Sequence, residues 1–152
     1  MSTLSGNLGA FLDMIAFSEG TTTTKGSDDG YNVIVGRTLF TSYADHPRKL
    51  IKLNAKLSST AAGRYQLLQR YWDSYRKQLG LKDFGKASQD AVAVQQIREC
   101  KAYDYVVEGR FTLAITKVRN IWASLPGAGY GQHENNADSL RAAYVKAGGT
   151  LA

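Results

Sequence analysis

The chain has 152 residues, 43% of them hydrophobic, which suits a single domain over 1–152 that holds a core without a metal or disulfide staple. Lys and Arg number 19 against 13 Asp and Glu, a net charge of +6 that favours anionic partners, but the basic residues are scattered without a run interleaved with aromatics, so nucleic acid is not an expected partner. One cysteine, Cys100, excludes an internal disulfide; two distant histidines, His46 and His133, give no metal-ligand spacing; and no apolar run is long enough to span a membrane.

Residues 6–19 place Leu8, Phe11, Leu12 and Ile15 on one helical face, with Gly20 as the stop. Polar, glycine-containing 21–30 reads as a loop. Residues 31–35 and 38–43 read as a small β-hairpin around Gly36. Pro47 is placed to open a short helix through Lys52, and 54–63 reads as a loop of small residues. Over 64–79, Leu67, Leu68, Tyr71, Trp72, Tyr75 and Leu79 share a helical face closed by Gly80. Ser88 is the expected N-cap of a helix running to Cys100. A short helix is expected over 103–107 and an amphipathic one over 111–125. A glycine-rich loop over 126–131 and a final helix over 136–147, stopped by Gly148 and Gly149, complete the chain. No repeat or linker interrupts this order. The class is α+β: mostly helical, with a small hairpin lobe after the first helix.

Three places carry candidate chemistry. Glu19 closes an apolar helix, where the macrodipole opposes negative charge and helps a carboxyl hold a proton, as a general acid must. Position alone favours the plainer alternative, a solvated terminal glutamate. In Ala62-Gly63-Arg64-Tyr65-Gln66, glycine permits close backbone approach, Tyr65 suits stacking on a sugar and Gln66 suits hydrogen bonding; an ordinary loop-to-helix junction explains the same residues. Gly127-Ala128-Gly129-Tyr130-Gly131-Gln132 displays an aromatic on a glycine loop and fits neither a P-loop nor a dinucleotide fingerprint. Cys100 reads as a small buried hydrophobe on a helix. No nucleophile elbow supports a serine triad.

These groups, in this order, resemble the lysozyme-like endolysins of phage lambda type, which are lytic transglycosylases. The resemblance runs over about 11–150. It is carried by Phe11-Leu12-Asp13-Met14, Ser18-Glu19-Gly20-Thr21, Val33-Ile34-Val35-Gly36, Asp45-His46-Pro47-Arg48-Lys49-Leu50, Ala62-Gly63-Arg64-Tyr65-Gln66-Leu67-Leu68, and the stretches 76–84, 88–93 and 121–132. It implies a lysozyme-like fold with a cleft between a helical lobe and a β lobe. It implies cleavage of the β-1,4 bond between N-acetylmuramic acid and N-acetylglucosamine in peptidoglycan, with Glu19 as the single acid/base, no cofactor and a 1,6-anhydro product. Tyr31, Asn32, Thr60, Arg64, Tyr65, Gln66, Tyr130 and Gln132 are carried over as substrate contacts. Asn32 stands where the family has an acidic residue, which a transglycosylase tolerates and a two-carboxylate hydrolase does not. Phe17 replaces a tryptophan, and 21–28 and 98–118 match poorly.

Two competing expectations remain. A hydrolytic muramidase needs a second carboxylate, which Asp28 or Asp29 would supply from a polar loop. A non-catalytic cell-wall or nucleic-acid binding module is motivated by the +6 charge. The loops 54–63 and 127–132 are expected to border the substrate and to close over it. Residues 8–17 lack a basic segment before them and contain Asp13, so no classical export signal is expected. By family analogy the protein is a monomer without stable membrane insertion. It is made in the host cytoplasm and reaches the cell wall in the periplasm once a holin permeabilises the membrane.

Overall fold

A computed structural model describes residues 1–129 and 133–152. Contacts within the chain group into two units, a helical one (Met1–Glu19 with Ala93–Ala152) and a β-containing one (Gly20–Val92).

The helical unit is organised by α1 (Gly6–Glu19), whose Ala10, Phe11, Leu12, Met14, Ile15, Ala16 and Ser18 are all buried. The sequence suggested one apolar face. The helix is instead enclosed on most sides, with Phe17 the large side chain left outside at 40% exposure. Gly20 ends it at φ 76°, a left-handed conformation that a residue with a Cβ adopts only with strain. Around α1 lie α4 (Tyr103–Val107), α5 (Phe111–Val118) and α6 (Ala137–Lys146). Phe111 joins them, its ring edge-on to Phe11 at 6.3 Å and 5.0 Å from Tyr144. Asn7 ties both chain ends together: its amide donates to the Val107 carbonyl (3.0 Å), and its oxygen accepts from the Thr150 N–H (2.9 Å). Asn136, expected as the first residue of the final helix, caps α6 from just outside it, accepting from the Asp138 N–H at 2.7 Å.

The β-containing unit holds two short antiparallel hairpins. β1 (Val33–Ile34) pairs with β2 (Thr38–Leu39), Val33 facing Leu39, and β3 (Ile51–Lys52) pairs with β4 (Ser58–Ser59). Ile34, Phe40, Ala62, Leu67, Trp72, Phe84 and Val92 form its core. α2 (Gln69–Leu79) contributes Trp72 to that core, and α3 (Lys86–Glu99) begins in this unit and ends in the helical one.

Several expected boundaries move, each for a visible reason. The helix expected over 47–52 is absent: Arg48 sits at φ 55°, which no right-handed helix accommodates, and Ile51–Lys52 is strand β3. The expected 54–63 loop contains strand β4. The helix expected from Arg64 starts only at Gln69. Ala62 and Leu67 exchange backbone hydrogen bonds (3.1 and 2.9 Å), closing 62–67 into a turn with Gln66 at φ 55°. Ser88 is not the cap of α3. Gly85 accepts the first helical bond, from the Gln89 N–H at 2.9 Å, and the Ser88 hydroxyl donates to Asp83. After Val118 the chain runs in turns that still bury Trp122 and Leu125. Among the described residues no helix is long and apolar enough to cross a membrane.

Asp45 and His46 anchor the β-containing unit and make its stability depend on pH in two separate windows. His46, 2% exposed, donates from Nε2 to the Leu67 carbonyl (2.9 Å) and accepts the Arg48 N–H at Nδ1 (3.0 Å). The contact at Nδ1 needs the neutral ring, and burial pushes its pKa below the ordinary 6.5. Asp45 accepts from Arg48 (2.6 Å), Trp72 Nε1 (2.9 Å) and Arg76 (3.3 Å). The Arg48 guanidinium foremost holds its carboxyl at about 2. Both folded-state values are depressed, so each group's contribution is complete above its unfolded value and is lost as pH falls. Urea unfolding at a series of pH values is expected to show stability declining first below 6.5 and again between 3.8 and about 2. His46→Gln is expected to abolish the first decline and leave the second; an unchanged first decline would assign it elsewhere.

Candidate active site

In the helical unit, Glu19 ends α1 as a half-buried residue. The Ser124 hydroxyl donates to Glu19 Oε2 at 2.6 Å. Ser124 Oγ lies 2.8 Å from the hydroxyl of buried Ser18. Asn135 donates from Nδ2 to the Ser18 carbonyl (2.8 Å) and to Ser18 Oγ (3.0 Å), and from its backbone N–H to the Ser124 carbonyl (2.8 Å). A carboxylate is thus presented at a helix end against a short chain of polar groups, Ser124, Ser18 and Asn135. Nearby in sequence, Glu134 accepts the N–H groups of Gly127 (3.0 Å) and Gly129 (2.9 Å), and these two backbone donors hold its carboxyl below the usual range. The start of the glycine-rich loop is therefore pinned. The expected contacts Tyr130 and Gln132 lie outside the described residues.

In the β-containing unit, Tyr31, Arg64 and Tyr65 come together around an acid that sequence reasoning passed over, Asp90. The Tyr31 hydroxyl donates to Asp90 Oδ1 (2.9 Å) and the Tyr65 hydroxyl to the same oxygen (2.5 Å). Arg64, 1% exposed, donates to the Tyr65 hydroxyl (3.1 Å) and to the Asp29 carbonyl (2.9 Å), and its guanidinium lies 5.1 Å from the Tyr31 ring centre. Burial first, and the Asp90 charge second, push both tyrosine pKa values up, so both stay donors. Gly63 sits at φ 86°, where a Cβ would stand 2.5 Å from Gln89 Oε1. That oxygen accepts the Arg64 N–H at 2.8 Å, so the close approach is occupied by the protein itself.

The remaining expected contacts are half-buried with local duties. Asn32 Oδ1 accepts the Asp28 N–H (2.8 Å). Thr60 Oγ1 accepts the Gln69 N–H (3.0 Å), serving the first turn of α2, where Leu68 offers no side-chain cap. Gln66 donates to the carbonyls of Gly63 (2.9 Å) and Val33 (3.2 Å). Asp28 is engaged by the Tyr43 hydroxyl (2.7 Å) and Lys86 (2.9 Å), which hold its carboxyl below the ordinary value, Tyr43 contributing most. Asp29 Oδ2 lies 3.6 Å from Arg64. Cys100 is half-buried with Sγ 3.8 Å from Asn120 Oδ1, and burial raises its pKa, which keeps the thiol protonated.

Ser124, Asn135 and Asp90 were missed. Asp90 had a signal, because it shares a helical face with Ala93 and Ile97, where an acid must be buried and partnered. Ser124 and Asn135 had none, since only folding brings residues more than 100 positions away onto α1. Asp90→Ala is expected to strip two buried tyrosine hydroxyls of their acceptor and to lower unfolding free energy by about 3 kcal/mol or more. Tyr65→Phe is expected to lower it by less. Chemical denaturation of the two variants checks the order, and equal effects would count against Asp90 as the hub.

Residues 9–151 match the Endolysin family. The chain is 62% identical to the endolysin of Escherichia phage lambda over 144 residues, covering 93% of this chain and 91% of that protein. It is 48% identical to the endolysin of Escherichia phage P2 over 160 residues, covering 96% and 95%. A solved structure of bacteriophage lambda lysozyme complexed with a chitohexasaccharide superposes with a TM-score of 0.96 at 59% identity, over 100% of both chains. A second lambda lysozyme structure gives 0.91 at 58% identity, again over 100% of both. The fold is therefore the α+β lysozyme-like fold, and the chain belongs to the endolysin family of peptidoglycan-degrading enzymes.

Proposed function

We propose that this endolysin is a lytic transglycosylase in which Glu19 is the only carboxylate taking part in the chemistry. Protonated Glu19 gives its proton to the glycosidic oxygen between N-acetylmuramic acid and N-acetylglucosamine as the bond to C1 of the muramic residue breaks. The resulting carboxylate takes the proton from the C6 hydroxyl of that same residue, whose oxygen closes on C1. The product end is a 1,6-anhydro sugar, no water is consumed and Glu19 regains its proton. The N-acetyl group of the substrate helps to stabilise the oxocarbenium-like charge.

The choice against hydrolysis rests on the state of Asp28 and Asp29. A hydrolase places a second carboxylate about 5–9.5 Å from its acid, available to a water or to the sugar. Asp28 is committed to Tyr43 and Lys86, and Asp29 lies in ion-pair range of buried Arg64. Asn32 supplies an amide where a catalytic acid is otherwise expected. The complex of lambda lysozyme with a chitohexasaccharide supports a β-1,4-linked amino-sugar chain as the ligand class. Asn32, Thr60, Gln66, Tyr130 and Gln132 contact the glycan in this proposal, while buried Tyr31, Arg64 and Tyr65 act by holding the turn that carries Gln66. The net charge of +6 favours approach to an anionic wall polymer. The enzyme works as a monomer on the periplasmic wall, which it reaches through a membrane opened by a holin.

Mass spectrometry of muropeptides from purified peptidoglycan tests this directly. Wild type is expected to release anhydro-muramic ends, and Glu19→Gln is expected to lose at least about 100-fold in rate, in the range removal of a general acid costs. Reducing muramic ends carrying solvent oxygen would replace the proposal with a muramidase, and absence of cleavage by wild type would replace it with a wall-binding module.

A further inference from the structure

We propose that Ser124 is a positioning residue for Glu19, oriented through Ser18 by Asn135, so that Glu19 Oε2 is held as an acceptor and the transferred proton resides on Oε1. The proposal rests on Glu19 being the acid/base.

Counting hydrogens along the chain sets its direction. Asn135 Nδ2 has no lone pair to offer, so it can only donate into Ser18 Oγ, at 3.0 Å. With that acceptor role filled, Ser18 spends its one hydroxyl hydrogen on Ser124 Oγ, 2.8 Å away. Ser124, now an acceptor from Ser18, turns its own hydrogen onto Glu19 Oε2 at 2.6 Å, the short separation of an O–H···O⁻ bond. The opposite direction would leave Ser18 accepting twice while its own hydrogen had to find another acceptor.

The same asparagine fixes the chain in space. Its side chain holds the Ser18 carbonyl at 2.8 Å and its backbone N–H holds the Ser124 carbonyl at 2.8 Å, so the two serines are clamped to one residue. Ser18 is buried and Ser124 and Asn135 are half-buried, which limits competition from water for these bonds. The bond from Ser124 favours the ionised carboxylate and restricts its rotation. Glu19 thereby returns to the same orientation after giving up its proton, as one group serving first as acid and then as base requires.

The test compares wild type, Ser124→Ala, Ser124→Thr, Asn135→Ala and Glu19→Gln by pH profiles of anhydro-product formation, with thermal melts to establish folding. Ser124→Ala is expected to move the basic limb of kcat/KM up by about one pH unit, because a donor to the ionised form is gone. Its kcat is expected to fall about ten-fold with KM within about two-fold of wild type. Ser124→Thr, which keeps the hydroxyl, is expected to restore both. Asn135→Ala is expected to move the limb the same way by less, and it carries the test if Ser124→Ala does not fold. A folded Ser124→Ala with wild-type kcat and basic limb, beside an inactive Glu19→Gln, would overturn the positioning role and leave the acid/base assignment standing. An active Glu19→Gln would overturn both.

Discussion

The β-containing unit is built around the need to accommodate one buried cation. A guanidinium withdrawn from water is costly unless its donors are met and its charge is answered. Arg64 meets that demand with the Asp29 carbonyl, the Tyr65 hydroxyl and the face of Tyr31. Its charge is answered directly by the Asp29 carboxylate at 3.6 Å and, through the tyrosines, by Asp90: Arg64 donates to Tyr65, and Tyr65 donates to Asp90. Gln89, the residue before Asp90 on α3, accepts the Arg64 N–H and donates to the carbonyls of Tyr31 (3.1 Å) and Phe84 (2.8 Å). Thr21 closes the set by donating to the Arg64 carbonyl at 2.7 Å. The loop after α1, the approach to β1, the 62–67 turn and the start of α3 are fixed relative to one another by these polar contacts, with the apolar core of Ile34, Phe40, Trp72 and Phe84 in the same unit.

The same logic, in a less buried setting, governs the Asp45-His46-Pro47-Arg48 segment. Residues of these types in one short run invite a catalytic interpretation. Their contacts are architectural: Asp45 gathers the Trp72 indole and two arginines, Arg48 bridges Asp45 and Asp73, and His46 fastens the 62–67 turn from behind. The charged members are partly exposed, so the ion pairs themselves contribute modestly to stability. Their effect is to hold Arg48 in the left-handed conformation that turns the chain toward β3 and prevents a helix there.

The carboxylates of the β-containing unit are taken up by its architecture. Asp28, Asp45, Asp73 and Asp90 all serve cations, tyrosines or an indole within the β-containing unit. Glu19, in the helical unit, accepts from a neutral hydroxyl at the end of a chain of neutral groups. A neutral donor orients a carboxylate without binding it as tightly to its charged form as an arginine would, which suits the acid/base role proposed for Glu19.

The sequence by itself determined the helices whose ends are marked locally: Gly20 after α1, Gly80 after α2, Gly148 after α6, and the short helix over 103–107, where the expected and observed bounds coincide. It also determined the family, because long matching segments carry far more information than any single motif, and through that resemblance it pointed to Glu19 as the candidate acid. Only the tertiary structure decided the 47–52 segment, the late start of α2 and the division of labour among the candidate site residues. The backbone held at positive φ at Arg48 and Gln66 draws on partners 25 and 33 positions away, Asp73 for Arg48 and Val33 for Gln66. Burial of Tyr31, Arg64 and Tyr65 depends on Asp90, supplied from another element, and the orientation of Glu19 depends on Ser124 and Asn135 near the far end of the chain. Hydrogen bonds between residues so distant in sequence leave no periodicity or spacing in it, and they become legible only when folding brings donor and acceptor within 3 Å.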